Sequence, residues 1–261
     1  MKAMTAASFA FAALLGSAAV AAEKPTVVLV HGAFEDAGVW RGVEAGLKKD
    51  GYRTVSVDLP GRPSNPQAPD QINLATYRDA VLDKLSDESR PVVLVGHSFG
   101  GIVISDVAEH APTKVRTLVY VAGLVPRDGD SLASMAQSDG GSSAGRYIRF
   151  LPEKGIATVP VEARGDLFAN DGNPGQKRAV SEAIVDEPLA PLAEAVHVGA
   201  QFAAVDKAYI RTTQDRVVSP AAQSAMIAGA SIRKSFTVKS GHTPFVTAGP
   251  ALVAAIEASA N

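Results

Sequence analysis

Val92-Val93-Leu94-Val95-Gly96-His97-Ser98-Phe99-Gly100-Gly101 is the stretch that decides the fold of this chain. Its first four residues describe a strand that is apolar on both faces, and such strands belong inside parallel sheets. The pentapeptide Gly96-His97-Ser98-Phe99-Gly100 follows with no linker, and Ile102 to His110 beyond it has helical character. A serine between a strand and a helix must sit on a tight, strained turn, and the flanking glycines let neighbouring backbones approach without a Cβ clash. The N-terminus of the following helix brings free N–H groups and a positive dipole end to any negative charge that develops there. The pentapeptide alone arises by chance. Its place between strand and helix makes Ser98 the candidate nucleophile.

Working outward, further β-branched-rich runs occur at Thr26 to Val30, Thr54 to Val57, Val115 to Val121, Ala208 to Thr212 and Ile232 to Val238. Between them lie helical patterns at about Val39–Lys49, Leu74–Ser86, Gly100–His110, Pro220–Ala228 and Pro250–Ala258. Strand and helix alternate, which predicts an α/β fold with a doubly wound, mostly parallel sheet of about six strands. The rhythm breaks from Leu124 to about Val205, a stretch with six prolines and a Gly/Ser patch at Gly140 to Gly145. A structureless loop of that length is improbable in a compact domain, so it is expected as a mostly helical cap insertion over one end of the sheet. The expected division is therefore a core of residues 23–123 and 206–261 with a cap of 124–205.

The chain has 261 residues, 25 Lys and Arg against 27 Asp and Glu, and no cysteine. Near-neutral charge without a basic run argues against nucleic acid or an anionic membrane surface as partner. The absence of cysteine removes disulfides, thiol nucleophiles and thiolate zinc sites. Residues 1–22 read as a secretory signal peptide: Met1-Lys2, an alanine-rich apolar core from about Ala6 to Leu15, and small residues at Ala19-Val20-Ala21-Ala22. That core is too short to span a bilayer of ~30 Å. The expected location is the bacterial periplasm or the medium, with no stable membrane anchor.

A serine hydroxyl needs a general base. Of the five histidines, His31 sits in a strand-end His-Gly pair, His97 inside the pentapeptide, His110 at a helix end and His197 in the insertion, all read as structural or solvated. His242 follows the last strand in Ser240-Gly241-His242-Thr243-Pro244, where sites form in such sheets, and is the candidate base. The orienting acid should lie at a strand end between the two. Asp215 does so just beyond Ala208 to Thr212; Asp128 and Asp130 are the rivals, although Arg127-Asp128-Gly129-Asp130 also reads as a solvated turn. The expected oxyanion hole takes one N–H from Phe99 and one from Ala33 in Val30-His31-Gly32-Ala33-Phe34. Asp58 and Gly61 read as structural turn residues.

With these residues placed, the chain resembles the α/β-hydrolase fold family, on Ser98 in Gly-His-Ser-Phe-Gly-Gly, the upstream His-Gly-Ala-Phe, Asp215 and His242. Within it the chain is similar to the branch of plant methyl-salicylate esterases, hydroxynitrile lyases and bacterial secreted esterases. The resemblance implies a nucleophile, acid and base at Ser98, Asp215 and His242, and a small-molecule ester cleaved through an acyl-enzyme. No metalloprotease, phosphate-loop or dinucleotide motif is visible, so no cofactor and no metal are expected, and the chain is expected as a monomer or homodimer. An apolar pocket beneath the cap is expected from Phe34, Leu124, Tyr147, Phe150, Phe168, Phe202 and Phe245. The alternatives are a lactonase, amidase or carbon–carbon lyase on the same triad, or a non-catalytic ligand-binding relative. Hydroxynitrile lyases of this branch carry a lysine directly after the catalytic histidine, where this chain has Thr243, and the loop Glu35 to Trp40 also departs from them.

Overall fold

The computed structural model describes residues 23–260. The expected signal peptide, 1–22, lies outside the described residues. In chain order the first half forms β1 (Val27–Val30), α1 (Arg41–Lys49), β2 (Thr54–Val57), α2 (Leu74–Ser86), β3 (Val92–His97), α3 (Gly100–His110) and β4 (Val115–Val121). Then come α4 (Leu132–Ser138), β5 (Arg149–Leu151), β6 (Ile156–Thr158), α5 (Val161–Phe168), α6 (Pro174–Ala183), β7 (Glu187–Pro188), α7 (Ala190–Ala193) and α8 (Ala200–Ala204). The chain closes with β8 (Asp206–Thr212), α9 (Pro220–Gly229), β9 (Lys234–Val238), α10 (Pro244–Thr247) and α11 (Gly249–Ala260).

Six strands form one sheet in the order β2-β1-β3-β4-β8-β9, and every neighbouring pair is parallel. The α/β fold with its doubly wound sheet is thus as the strand–helix alternation predicts. The chain steps from β1 outward to β2, returns to β3 on the other side of β1, and from there builds in one direction. The reversal between β1 and β3 opens a crevice outside the strands' carboxyl ends. Val30 pairs with Gly96 across it, so the loop after β1 and the turn carrying Ser98 leave the sheet side by side.

Alternation along each strand divides the core. Val27, Leu29, Val93, Val95, Val119 and Val121 pack with Trp40, Val43 and Leu47 around α1 and with Leu252 and Ile256 of α11. Val28, Val30, Leu94, Leu118, Tyr120 and Tyr209 face the opposite way, onto α2 and α3. Each large side chain buried in this way contributes about 1.5–3 kcal/mol, so the sheet with its two helix layers is a rigid base for the loops at its carboxyl ends.

Between β4 and β8 the chain is not helical throughout. β5, β6 and β7 form a small antiparallel sheet alongside the five helices. Strands of two or three residues are too short to show an alternating pattern, and Arg149-Phe150 of β5 is exposed, so nothing in the residues announces them. Two parts of this segment fasten to loops at the sheet's carboxyl end. Val185 N–H donates to the Phe34 carbonyl at 2.9 Å. Asp139 accepts from the Ser219 N–H at 2.8 Å and its hydroxyl at 2.6 Å, and Ser143 N–H donates to Arg216 O at 2.7 Å. No described helix is long and apolar enough to cross a membrane.

Candidate active site

Ser98 occupies the turn between β3 and α3 with φ +51°, in the left-handed region that a residue with a side chain rarely adopts. Neighbouring groups hold it there. Its N–H donates to Val121 O at 3.1 Å, and its carbonyl accepts from Gly101 and Leu124 N–H at 3.0 and 2.9 Å. A Cβ on Gly96 would lie 2.5 Å from Gly100 O, and one on Gly100 would lie 2.7 Å from the Val30 and His31 carbonyl oxygens. Both positions therefore require glycine, and the turn is as tight as its sequence implies.

The loop after β9 brings His242 to this serine. His242 Nε2 accepts from the Ser98 hydroxyl at 3.0 Å, and its Nδ1–H donates to Asp215 Oδ2 at 2.9 Å. All three side chains are buried. Asp215, in the loop after β8, is surrounded by donors: Oδ1 accepts from Val217 and Val218 N–H at 2.8 and 3.0 Å, and Oδ2 from the Thr212 hydroxyl at 2.9 Å. These contacts fix the carboxylate and, through it, the orientation of the imidazole. Asp128 instead pairs with His197 at 3.1 Å on the surface, and Asp130 accepts from Arg127 N–H at 2.8 Å; neither bonds to His242. Among the described residues, no acceptor takes the N–H of Ala33 or of Phe99.

A cavity of about 860 Å³ opens above Ser98 and His242. Ala33, Phe34, Leu124, Phe150, Phe168 and Phe202 line it, joined by apolar residues of α4 and α9 such as Leu132, Met135 and Met226. The Phe168 ring lies 6.1 Å from the His242 ring and 6.2 Å from Phe34. Phe150, 61% exposed, sits where the cavity meets solvent. Two expected pocket residues are placed elsewhere. Tyr147 is 39% exposed and outside the lining. Phe245 turns with α10 to the opposite face of the sheet, where its ring lies 5.5 Å from Trp40 and 5.1 Å from His97. An aromatic next to the His242 loop has two apolar sides to choose from, and the direction of α10 makes the choice.

The model of the alpha/beta hydrolase family matches residues 27–256. The chain belongs to the alpha/beta hydrolase family. The carbendazim hydrolyzing esterase of Nocardioides sp. (strain SG-4G) is 37% identical over 110 residues, which is 41% of this chain and 46% of that protein. Methylesterase 10 of Arabidopsis thaliana is 33% identical over 129 residues, 48% of this chain and 44% of its own length. The crystal structure of a pyrethroid hydrolase from Sphingobium faniae JZ-2 superposes with a TM-score of 0.79 at 23% identity, covering 90% of this chain and 97% of that one, a likeness of fold. The chain spans about half to two thirds of the length of the curated relatives it matches.

This hydrolase fold carries two buried networks beside Ser98, His242 and Asp215 that the residues alone do not reveal. Phe34 has φ +64°, and its N–H donates to Glu187 Oε2 at 2.7 Å. Glu187, in β7, also binds Arg62 Nη2 at 2.6 Å and the Tyr77 hydroxyl at 2.7 Å, and Arg62 Nε–H donates to Glu35 O at 2.6 Å. Arg62 and Glu187 are fully buried although 125 residues separate them. Nothing local in the sequence pairs them, and only tertiary folding brings them together.

The second network holds the remaining buried histidines. His31 Nδ1–H donates to Gly32 O at 2.8 Å while Nε2 accepts from Leu59 N–H at 3.2 Å, the pattern of a neutral ring. Burial, with Arg62 nearby, pushes its pKa down to about 3. His97 donates from Nδ1 to Glu35 Oε2 at 2.9 Å and from Nε2 to the His242 carbonyl at 2.8 Å. Burial opposes its charge, but the Glu35 carboxylate outweighs burial and raises the pKa. The reciprocal holds for Glu35: burial opposes its ionisation, and His97 outweighs it, keeping the carboxyl below its usual range. His110 pairs with Asp106 at 3.1 Å at the surface. Among the described residues no cluster of His, Asp and Glu is arranged to hold a metal ion.

Proposed function

We propose that this chain is a serine carboxylic-ester hydrolase acting through an acyl-enzyme. The observation that carries the reading is the continuous bond chain from Ser98 Oγ through His242 to Asp215 at the floor of an apolar cavity, beside two N–H groups with no acceptor. Ser98 attacks the ester carbonyl as its proton passes to His242 Nε2, and the Ala33 and Phe99 N–H groups take the carbonyl oxygen as it becomes anionic. The carbonyl re-forms, the C–O bond to the alcohol breaks, and His242 returns the proton to the leaving alkoxide. Water, deprotonated by the same nitrogen, then releases the acid and restores Ser98. Asp215 keeps Nδ1 protonated throughout, so that Nε2 has a lone pair to offer.

The esterase names of the relatives support the reaction class, and the size and apolar lining of the cavity support a bulky, uncharged ester. We read residues 124–205 as the cap that encloses this ester, and the alanine-rich leader as an export signal. At the position directly after the histidine, where a hydroxynitrile lyase carries its lysine, this chain has Thr243, which is buried and whose hydroxyl donates to Phe168 O at 3.0 Å. The deciding experiment measures turnover of p-nitrophenyl acetate and butyrate by the wild-type chain and Ser98→Ala, together with phosphonate labelling. Labelling confined to Ser98, and a fall in kcat on the order of a million-fold in the variant, are expected. Cyanide release from mandelonitrile with negligible ester turnover would overturn the reading.

A further inference from the structure

His97 stands between two acceptors. Its Nδ1–H meets Glu35 Oε2 and its Nε2–H meets the main-chain carbonyl of His242, which has no proton to give. An imidazole satisfies two such acceptors only when both nitrogens carry hydrogen, and an unmade bond here would strand a polar atom in the core. The ring is fully buried, with the edge-on rings of Phe245 at 5.1 Å and Trp40 at 6.4 Å against it and the His242 ring 4.7 Å away. The ionisable groups around it are Glu35 and His31 from the β1 loop, Asp215 from the β8 loop and His242 from the β9 loop; the two carboxylates favour a charged ring.

Glu35 Oε2 does double duty, because it also accepts from Gly32 N–H at 2.8 Å. The contact is close enough that a Cβ on Gly32 would lie 2.9 Å from His97 Nδ1 and 3.0 Å from that same oxygen. Three segments therefore meet at one ion pair: Gly32, directly before Ala33; His97, directly before Ser98; and the backbone of His242. We propose that Glu35 and His97 form a permanently charged buried pair that locks the oxyanion loop, the nucleophile turn and the base loop into one register. Neither residue lines the cavity, so both are positioning residues. The kinetic side of the proposal rests on the ester-hydrolase reading; the charge state of the pair does not.

The two sides are tested separately. Ring nitrogen resonances of the ¹⁵N-histidine-labelled chain, followed from about pH 6 to about pH 9, should show one histidine that keeps both ring protons throughout, beyond the range of an ordinary imidazole. That signal should be missing from His97→Asn. A His97 ring with a single proton at neutral pH would overturn the proposal with no variant needed. Glu35→Gln supplies the second arm. One carboxylate oxygen serves both Gly32 N–H and His97 Nδ1–H, whereas an amide presents either its oxygen or its NH₂ there and leaves His97 without a counter-charge. The variant should lose the second ring proton and about 10- to 100-fold in kcat, with KM within about twofold, because the reacting groups shift while the cavity does not. Phosphonate should still label Ser98 stoichiometrically, but more slowly. Unchanged kcat, or a rise in KM alone, would refute the positioning role. If the variant does not fold, the native ring signals decide alone. A wild-type chain that shows the doubly protonated ring but turns over no ester would sink the hydrolase reading and leave the pair standing.

Discussion

Asp215→Asn tests the triad through its geometry. Asp215 now accepts four hydrogen bonds within 3.0 Å, from two backbone N–H groups on Oδ1 and from Thr212 and His242 on Oδ2. An asparagine has one oxygen to share among them. Turning its NH₂ toward the Val217 and Val218 N–H groups would leave two donors unpaired, at about 1–3 kcal/mol for the buried one at Val218. The oxygen therefore stays with the backbone, and the NH₂ faces His242 Nδ1. Thr212 adapts by rotating its hydroxyl to accept. His242 adapts by moving its proton to Nε2, which now points a hydrogen at Ser98 Oγ and cannot serve as base. The wrong tautomer costs about 10⁴ in kcat, equivalent to about 5.5 kcal/mol of transition-state stabilisation. The fold should survive, since both backbone bonds to Oδ1 are kept, tautomerisation relieves the contact with His242, and the bond given up is the long one from Gln223 Nε2 to Oδ2 at 3.4 Å. The assay is kcat for p-nitrophenyl butyrate, normalised to phosphonate-titrated sites, beside unfolding by urea. A kcat within tenfold of wild type would refute the assignment of the acid, and a crippled Asp128→Asn or Asp130→Asn would move it to that loop.

Glu187→Gln removes the counter-charge of a fully buried Arg62, so stability should fall by about 3–5 kcal/mol, and a loss under ~1 kcal/mol in urea unfolding would contradict the burial argument. Because Glu187 also holds the Phe34 N–H beside Ala33, variants at this position that still fold should lose kcat as well. Stability should peak near pH 6.5. Below that pH the unfolded chain protonates His31 while the folded chain resists down to about pH 3, so stability falls with acidification by up to ~1.4 kcal/mol per unit. Above it the folded chain keeps the His97 proton that the unfolded chain releases, so stability falls as pH rises through the raised pKa. The acidic limb between about pH 5 and 6.5 should flatten in His31→Gln, and an unchanged slope in urea titrations would exclude His31 as its source.

The alternation of apolar strands with helical patterns determined the architecture from the chain alone, because strands buried on both faces carry a continuous apolar signal. α2 and α3 span the same residues in sequence and structure, Leu74–Ser86 and Gly100–His110. Ser98, Asp215 and His242 could be singled out because each follows a strand, and a parallel sheet collects its strand ends at one edge. What lies beyond that edge was decided by tertiary structure. β5, β6 and β7 exist by pairing with one another, not by propensity. Phe245 faces away from the cavity because α10 turns it there. The pairings of Arg62 with Glu187 and of His97 with Glu35 arise only when folding removes water from around them. Once it has, a charge can remain only where another part of the chain supplies its opposite, and a single sequence carries no mark of which distant residue that will be.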